Sequence, residues 1–405
     1  MEDNISLYDL LSQAEKNNRE DTITDLYGHL LVQKAINQRI PIAIQFELLP
    51  ICNFNCKFCY IRMTPEEVKK SGHHIMLFDE WKEYVDQVCE MNIPSITFTG
   101  GECTLHPDFI RLYEYAYSNG LQVGMISNGS NITPEILEMF EKYPPSKVYI
   151  TLYGFSAETY ERVCSNGNAF KKVLRNIESM LLKNINVLLN FTCSKDNICD
   201  MEAVLAYGRS KKIVVLPSDA LQVQRKCTLE TIEREKVQHE LFREIEVKHV
   251  SLVQGRSIDD INYSFLNNYD EPYNDPIKPG LQCNAGRCMF VVNWLGQMKP
   301  CANINKYLLD PRQYGGMEKC WKMIVDWADH VPALAECVNC IFRNKCRRCA
   351  AIHYGDMGEF GKVSPRFCFK VLYPEAAEKM QAEYDCRQAE KAAKEKENST
   401  IQGDL

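Results

Sequence analysis

Residues 52–59 read CNFNCKFC, three cysteines spaced C-x3-C-x2-C with no fourth beside them. Thiolates in such clusters suit zinc or iron–sulfur centres. Structural zinc closes four ligands, usually as two pairs, and nothing near Cys52, Cys56 and Cys59 completes such a set. Three thiolates on a four-iron cubane leave one iron open to a non-protein ligand. A second concentration lies between residues 283 and 368, in the runs CNAGRC, GQMKPC and CVNCIFRNKCRRC and at Cys368. The chain has 19 cysteines in 405 residues and no secretory signal, so metal or redox chemistry explains them better than a disulfide framework.

The elements that must position the first group are legible around it. Short β-rich runs at 42–49, 95–98, 121–126, 147–152, 185–191 and 213–216 alternate with helical patterns, which predicts βα units on a parallel sheet. Trp81, Tyr84, Val85 and Val88 recur at helical spacing, Asn119-Gly120 ends a helix, and Thr133-Pro134 sets a cap before an N1 proline. The three-cysteine loop follows the first strand. It therefore falls at the C-terminal edge of the sheet, where parallel α/β enzymes place their chemistry.

Later strands end in further polar turns: TGGEC at 99–103, SNG at 127–129 and TLYG at 151–154. Taken with the cysteine spacing, the chain resembles the radical S-adenosylmethionine (SAM) superfamily, and the resemblance implies a partial (βα)6 barrel. It implies a [4Fe–4S] cluster on Cys52, Cys56 and Cys59 whose open iron binds SAM, and cleavage of SAM to a 5′-deoxyadenosyl radical. It also implies SAM contacts from Gly100, Gly101 and Glu102, from Ser127 and Asn128, from Thr151, and from Arg162 to the carboxylate. Phe58 matches the aromatic that often precedes the last cysteine, and Tyr60 is a candidate to stack on adenine, with core packing its alternative.

The second cysteine group resembles the SPASM extension of such enzymes. Cys283-x12-Gly296-x4-Cys301 and Cys337-x2-Cys340-x5-Cys346 fit its pattern, whereas Cys346 to Cys349 is x2 where the pattern has x3. The resemblance implies two auxiliary [4Fe–4S] clusters, one on Cys283, Cys288, Cys301 and Cys349 and the other on Cys337, Cys340, Cys346 and Cys368. Without Cys349 the first would have an exchangeable iron. Zinc ribbons are the alternative that the C-x2-C pairs permit. Cys103 and Cys193 lie near strand ends, where a thiol can quench a substrate radical or simply pack in the core.

Enzymes with this extension mostly modify peptides or proteins, by thioether or carbon–carbon crosslinking, epimerisation, or formylglycine formation in sulfatases. The last group carries an aspartate directly after the cysteine of the G-x4-C element, and here that residue is Ala302. The expected function is therefore an oxidoreductase that matures a ribosomally made peptide by crosslinking, with epimerisation or formylglycine formation as alternatives. A non-catalytic iron–sulfur electron carrier or zinc protein would account for the C-terminal cysteines but not for the three polar turns. Expected partners are a precursor peptide and a reductase, flavodoxin or ferredoxin as electron donor. Since about 41 residues precede the first strand, the expectation is that either a separate protein recognises the leader or the substrate docks elsewhere, for example on the 262–280 loop.

A net charge of −7, with basic residues scattered among acids, gives no footprint for nucleic acid. No run is long and apolar enough for a bilayer, and the expected location is cytoplasmic. The expected organisation is an N-terminal helical extension (1–41), a radical SAM partial barrel (42–217), a bridging region (218–282), an irregular, metal-held SPASM domain (283–372) and a charged helical tail (373–405). The polar loop at 262–280 is read as a linker or as a wall of a substrate groove.

Overall fold

The computed structural model describes residues 20–223, 227–237, 239–255, 257–259, 279–343, 345–346 and 349–403. The 262–280 loop lies almost wholly outside the described residues, as do residues 1–19 of the expected N-terminal helical extension; the rest of that extension holds the helix Glu20–Gln38.

The six expected strands are present within two residues of their sequence bounds: β1 (Ala43–Glu47), β2 (Ser95–Thr99), β3 (Gln122–Ser127), β4 (Val148–Thr151), β5 (Val187–Thr192) and β6 (Val215–Ser218). Each pairs in parallel with the next, in the order β6-β5-β4-β3-β2-β1. Helices connect them, as parallel pairing requires. In the helix Phe78–Glu90 the face made by Phe78, Trp81, Tyr84, Val85 and Val88 is buried. Trp81 and Tyr84 meet Phe46 of β1, with ring centroids 4.8 and 6.4 Å away. Thr133 caps the helix Pro134–Lys142 by accepting from the Ile136 N–H at 3.4 Å.

The sheet does not stop at β1. Residues Met289–Val292 form β7, parallel to β1 in the register Ala43↔Met289 to Phe46↔Val292, and β8 (Met298–Lys299) returns antiparallel to it. Part of the cysteine-rich region is therefore built into the main core, through Phe290, Val292, Met298, Trp321 and Ile324, and is less irregular than expected. The apolar run MFVV is too short for periodicity to separate from loop. Gly296 makes the hairpin turn at φ +77°. A Cβ there would come 2.3 Å from the Tyr84 hydroxyl, which itself donates to the Gly296 carbonyl at 2.9 Å. That contact is a physical reason for glycine in the G-x4-C element. Among the described residues no helix is long and apolar enough to cross a membrane.

Candidate active site

The C-terminal ends of the strands meet at one cavity of about 350 Å³. Gln45 of β1, Thr99 of β2, Ser127 of β3, Thr151 of β4 and Thr192 of β5 each present a polar side chain to it. Cys56 and Cys59 line it from the loop after β1, with Phe58 and Tyr60. The loop after β6 adds Leu221 and Gln222, and Ala302 and Asn303 enter from the C-terminal region.

The cysteine loop is held in place by the GGE turn. Gly101 N–H donates to Leu49 O at 2.7 Å and Glu102 N–H to Ile51 O at 3.0 Å. A Cβ on Gly100 would sit 2.5 Å from Leu49 O, and one on Gly101 2.3 Å from Ile51 O. Both glycines line the cavity, yet their necessity comes from this close backbone approach just before Cys52. Glu102 is buried and does not line the cavity. Its carboxylate accepts from Thr104 N–H (3.2 Å), Thr104 Oγ1 (2.7 Å), Ser127 Oγ (2.8 Å) and Asn128 N–H (2.7 Å), so it ties the end of β2 to the end of β3. Burial raises its pKa, and those donors pull it back only in part. Asn128 donates to Asn53 Oδ1 at 2.9 Å and to Cys52 Sγ at 3.6 Å.

Two more N–H groups point at sulfur in this loop, Phe54 to Cys52 at 3.4 Å and Arg62 to Cys59 at 3.3 Å. Cys52 is pushed up to about 12, chiefly by burial and then by the neighbouring charges of Glu102 and Cys59. Cys56 is raised by burial as well, with Cys59 and Cys52 adding to it. The three thiols are thus mutual neighbours, and a metal centre that binds them must displace their protons. Among the described residues no three His, Cys, Asp or Glu side chains close around a single ion. A cubane spaces its thiolates wider than one ion does, and three neighbouring thiols with N–H donors to sulfur beside an open cavity fit it.

Of the other expected site residues, Tyr60, Ser127, Asn128 and Thr151 reach the cavity and Arg162 does not. Arg162 donates to Thr159 Oγ1 at 2.9 Å and to Asp196 O at 3.1 Å on the outer side of the helix Ala157–Cys164. Cys103 and Cys193 are buried in the core and neither lines the cavity; Cys103 Sγ donates to Ile126 O at 3.5 Å. Gln45, Tyr153, Thr192, Leu221, Gln222 and Asn303 escaped sequence reasoning. Tyr153 alone carried a signal, inside TLYG, and it sits beside Cys56.

The C-terminal cysteines gather into two groups. Cys337, Cys340, Cys346 and Cys368 together frame a separate hollow of about 100 Å³. Cys337 is pushed up to about 12 by burial and by the proximity of Cys346, Cys340 and Cys368. Cys301 is raised to about 11 by burial, with Cys349 and Cys283 beside it, and Cys283 in turn neighbours Cys288. Cys349 thus stands with the first group despite its shortened spacing. Backbone N–H groups of Asn303 and Phe369 donate to Cys301 and Cys346 sulfur at 3.4 and 3.2 Å. A further hollow of about 240 Å³ lies by His73, His74, Asp310 and Arg312, where His74 already pairs with Glu80 and Arg312 with Asp310.

A parallel βα sheet with a polar cavity and three neighbouring thiols at its C-terminal edge is the arrangement of an α/β enzyme site. Residues 46–207 match the radical SAM superfamily. Those residues are a radical SAM domain, of a superfamily that works with a [4Fe–4S] cluster and SAM. It is 30% identical over 158 residues to the AdoMet-dependent heme synthase of Methanosarcina barkeri, covering 39% of this chain and 44% of that one. It is 21% identical over 303 residues to AlbA, the antilisterial bacteriocin subtilosin biosynthesis protein of Bacillus subtilis, covering 73% and 62%. The chain thus spans under half the length of the first of these relatives and under two thirds of the second. SuiB of Streptococcus suis, solved bound to its precursor peptide SuiA, shares the fold at a TM-score of 0.59 and 14% identity over 82% of this chain and 77% of that one. The enzyme is related to peptide-modifying maturases, and heme synthases stand among the same relatives.

Proposed function

We propose that this protein is a radical SAM/SPASM oxidoreductase that matures a ribosomally made peptide by thioether or carbon crosslinking. The observation that carries the reading is the gathering of the C-terminal cysteines into two groups, separate from the Cys52–Cys59 loop. That division suits a SPASM region at 283–372 behind a barrel at 42–217. Cys52, Cys56 and Cys59 would hold the SAM-binding cluster. Cys283, Cys288, Cys301 and Cys349 would hold one auxiliary cluster, and Cys337, Cys340, Cys346 and Cys368 the other. When bound there, the cluster and SAM would supply radical chemistry at an unactivated C–H bond.

The chain's own residues orient and shield. Phe54, Arg62 and Asn128 direct N–H groups at the cysteine sulfurs and so fix the loop. Glu102 holds Ser127 and Asn128 at the rim, where they and Thr151 offer hydrogen bonds to the polar end of SAM. Leu221, Phe58 and Ile61 keep water from the reacting carbon. A precursor peptide is the substrate this reading requires, with an outside electron donor. The AlbA alignment, which runs past the radical SAM domain into the cysteine-rich region, supports it. A tetrapyrrole-acting enzyme is the second reading. It is favoured by the 30% identity to a heme synthase, which is confined to 39% of the chain.

Co-expression with a small open reading frame encoded beside the gene tests the proposal by mass spectrometry. A peptide two daltons lighter, dependent on Cys56, supports crosslinking. A mass-neutral product that gains deuterium at an α-carbon supports epimerisation instead. An unmodified peptide together with decarboxylation of an added porphyrin would overturn the peptide reading.

A further inference from the structure

The cavity's roof is fastened from the C-terminal cysteine region. Beyond β6 the chain turns through Asp219 and Ala220 and places Leu221 in a small buried cluster with Cys227 and Ile232, against which packs Phe58, the aromatic inside the cysteine loop. Leu221 and Gln222 line the cavity. Their own connection contributes a local turn, in which Leu221 N–H donates to Asp219 O at 3.0 Å. His239 reaches Asp219 Oδ2 at 2.8 Å, and the tie to the cysteine-rich region is made by Arg366, two residues before Cys368. Its Nη2 donates to Leu221 O at 3.1 Å and to Asp356 Oδ1 at 2.7 Å, while Nε donates to Asp356 Oδ2 at 2.9 Å. The Asp356 side chain is 4% exposed and also accepts from Ser364 Oγ at 2.5 Å. Ser364 N–H in turn donates to His353, which borders the hollow framed by Cys337, Cys340, Cys346 and Cys368.

A second contact reaches the same loop. The helix Ala350–Met357, which begins after Cys349, places Gly355 so that a Cβ would lie 3.3 Å from Val223 O. Both segments that follow or precede an auxiliary cysteine thus end on residues 221–223.

We infer that Arg366 is a positioning residue that joins the Cys337–Cys368 site to the SAM cavity by holding Leu221 in the cavity wall that it shares with Phe58. Guanidinium geometry is what the position demands, because one planar fork must satisfy a carboxylate and a backbone carbonyl together. The inference rests on the reading of the cavity as the SAM site.

The test uses anaerobically reconstituted full-length protein, with SAM as the probe. In R366M, the SAM concentration that gives half of the SAM-induced change in the cluster's EPR spectrum should rise about tenfold, as for loss of a charge-assisted hydrogen bond. Iron content and the full spectral amplitude should stay as in the wild type, and amides 219–223 should exchange with deuterium about tenfold faster. R366K, which keeps the charge without the fork, should fall between the two. If R366M loses iron, R366K carries the comparison. Unchanged SAM response and unchanged exchange at full iron content overturn the inference. If the wild type shows no SAM-dependent change at all, the reading of the cavity fails instead, and amide exchange still decides whether Arg366 holds the loop.

Discussion

Lys299 Nζ lies 3.2 Å from Glu47 Oε2, and both side chains are buried. The pair joins the end of β1 to β8, two residues before Cys301. Lys299 also donates to Ala302 O at 3.0 Å and to Asn305 Oδ1 at 3.1 Å, so the cation is fully satisfied. Ala302 lines the cavity. One buried cation therefore registers β1, the cavity wall at Ala302 and the segment that carries Cys301 against one another.

Removing that cation leaves Glu47 buried without its counter-charge. K299M should lose about 3–5 kcal/mol, the usual cost of breaking a buried pair from one side. Denaturant unfolding of the apoprotein measures it, and the double variant K299M/E47Q should recover part of the loss. An unchanged midpoint in K299M would show that the pair is not formed.

Gly101 leaves no room for a side chain: Ile51 O lies 2.3 Å from where a Cβ would stand, and Leu49 O accepts the Gly101 N–H. G101A should push the backbone before Cys52 out of place. The expected result is at least a hundredfold slower formation of 5′-deoxyadenosine, with less iron retained on reconstitution. Wild-type rates in G101A would mean that this approach does not position the cysteine loop.

Gly296 stands at φ +77° with the Tyr84 hydroxyl where a Cβ would go. G296A should destabilise the fold by about 1–3 kcal/mol, from strain and overpacking together. Thermal unfolding reads the loss, and adding Y84F should return a fraction of it by removing the obstructing oxygen.

The parallel sheet was legible because its signals are local: short β-rich runs, capped helices between them and polar turns after the strands. The cysteine runs were legible because their spacing is local to the chain. Three features were not. Strand β7 pairs with β1 across more than 240 residues of sequence, and its four apolar residues carry no period to recognise. The cavity residues Gln45 and Gln222 belong to no motif and are selected only by where β1 and the turn after β6 end. Arg162 and Arg366 illustrate the third point. Both are arginines near cysteine segments, and only folding shows that the first faces Asp196 while the second reaches Leu221.

Glu102 accepts four hydrogen bonds, and an amide at either oxygen position would face one of those donors. E102Q should therefore cost about 1–3 kcal/mol, the penalty for a buried donor left unpaired. It should also raise the SAM concentration needed for half-maximal cleavage, because Ser127 and Asn128 lose their anchor. Steady-state kinetics with dithionite as reductant measure this, and kinetics equal to the wild type would contradict the anchoring role.

The account turns on whether the Cys52, Cys56 and Cys59 thiols carry the centre that opens SAM. Replacing all three by alanine, then reconstituting anaerobically and adding SAM with dithionite, measures this most directly. The prediction is no 5′-deoxyadenosine from the triple variant while its remaining iron persists on the C-terminal cysteines, and continued 5′-deoxyadenosine from C368A. Undiminished 5′-deoxyadenosine from the triple variant would contradict it.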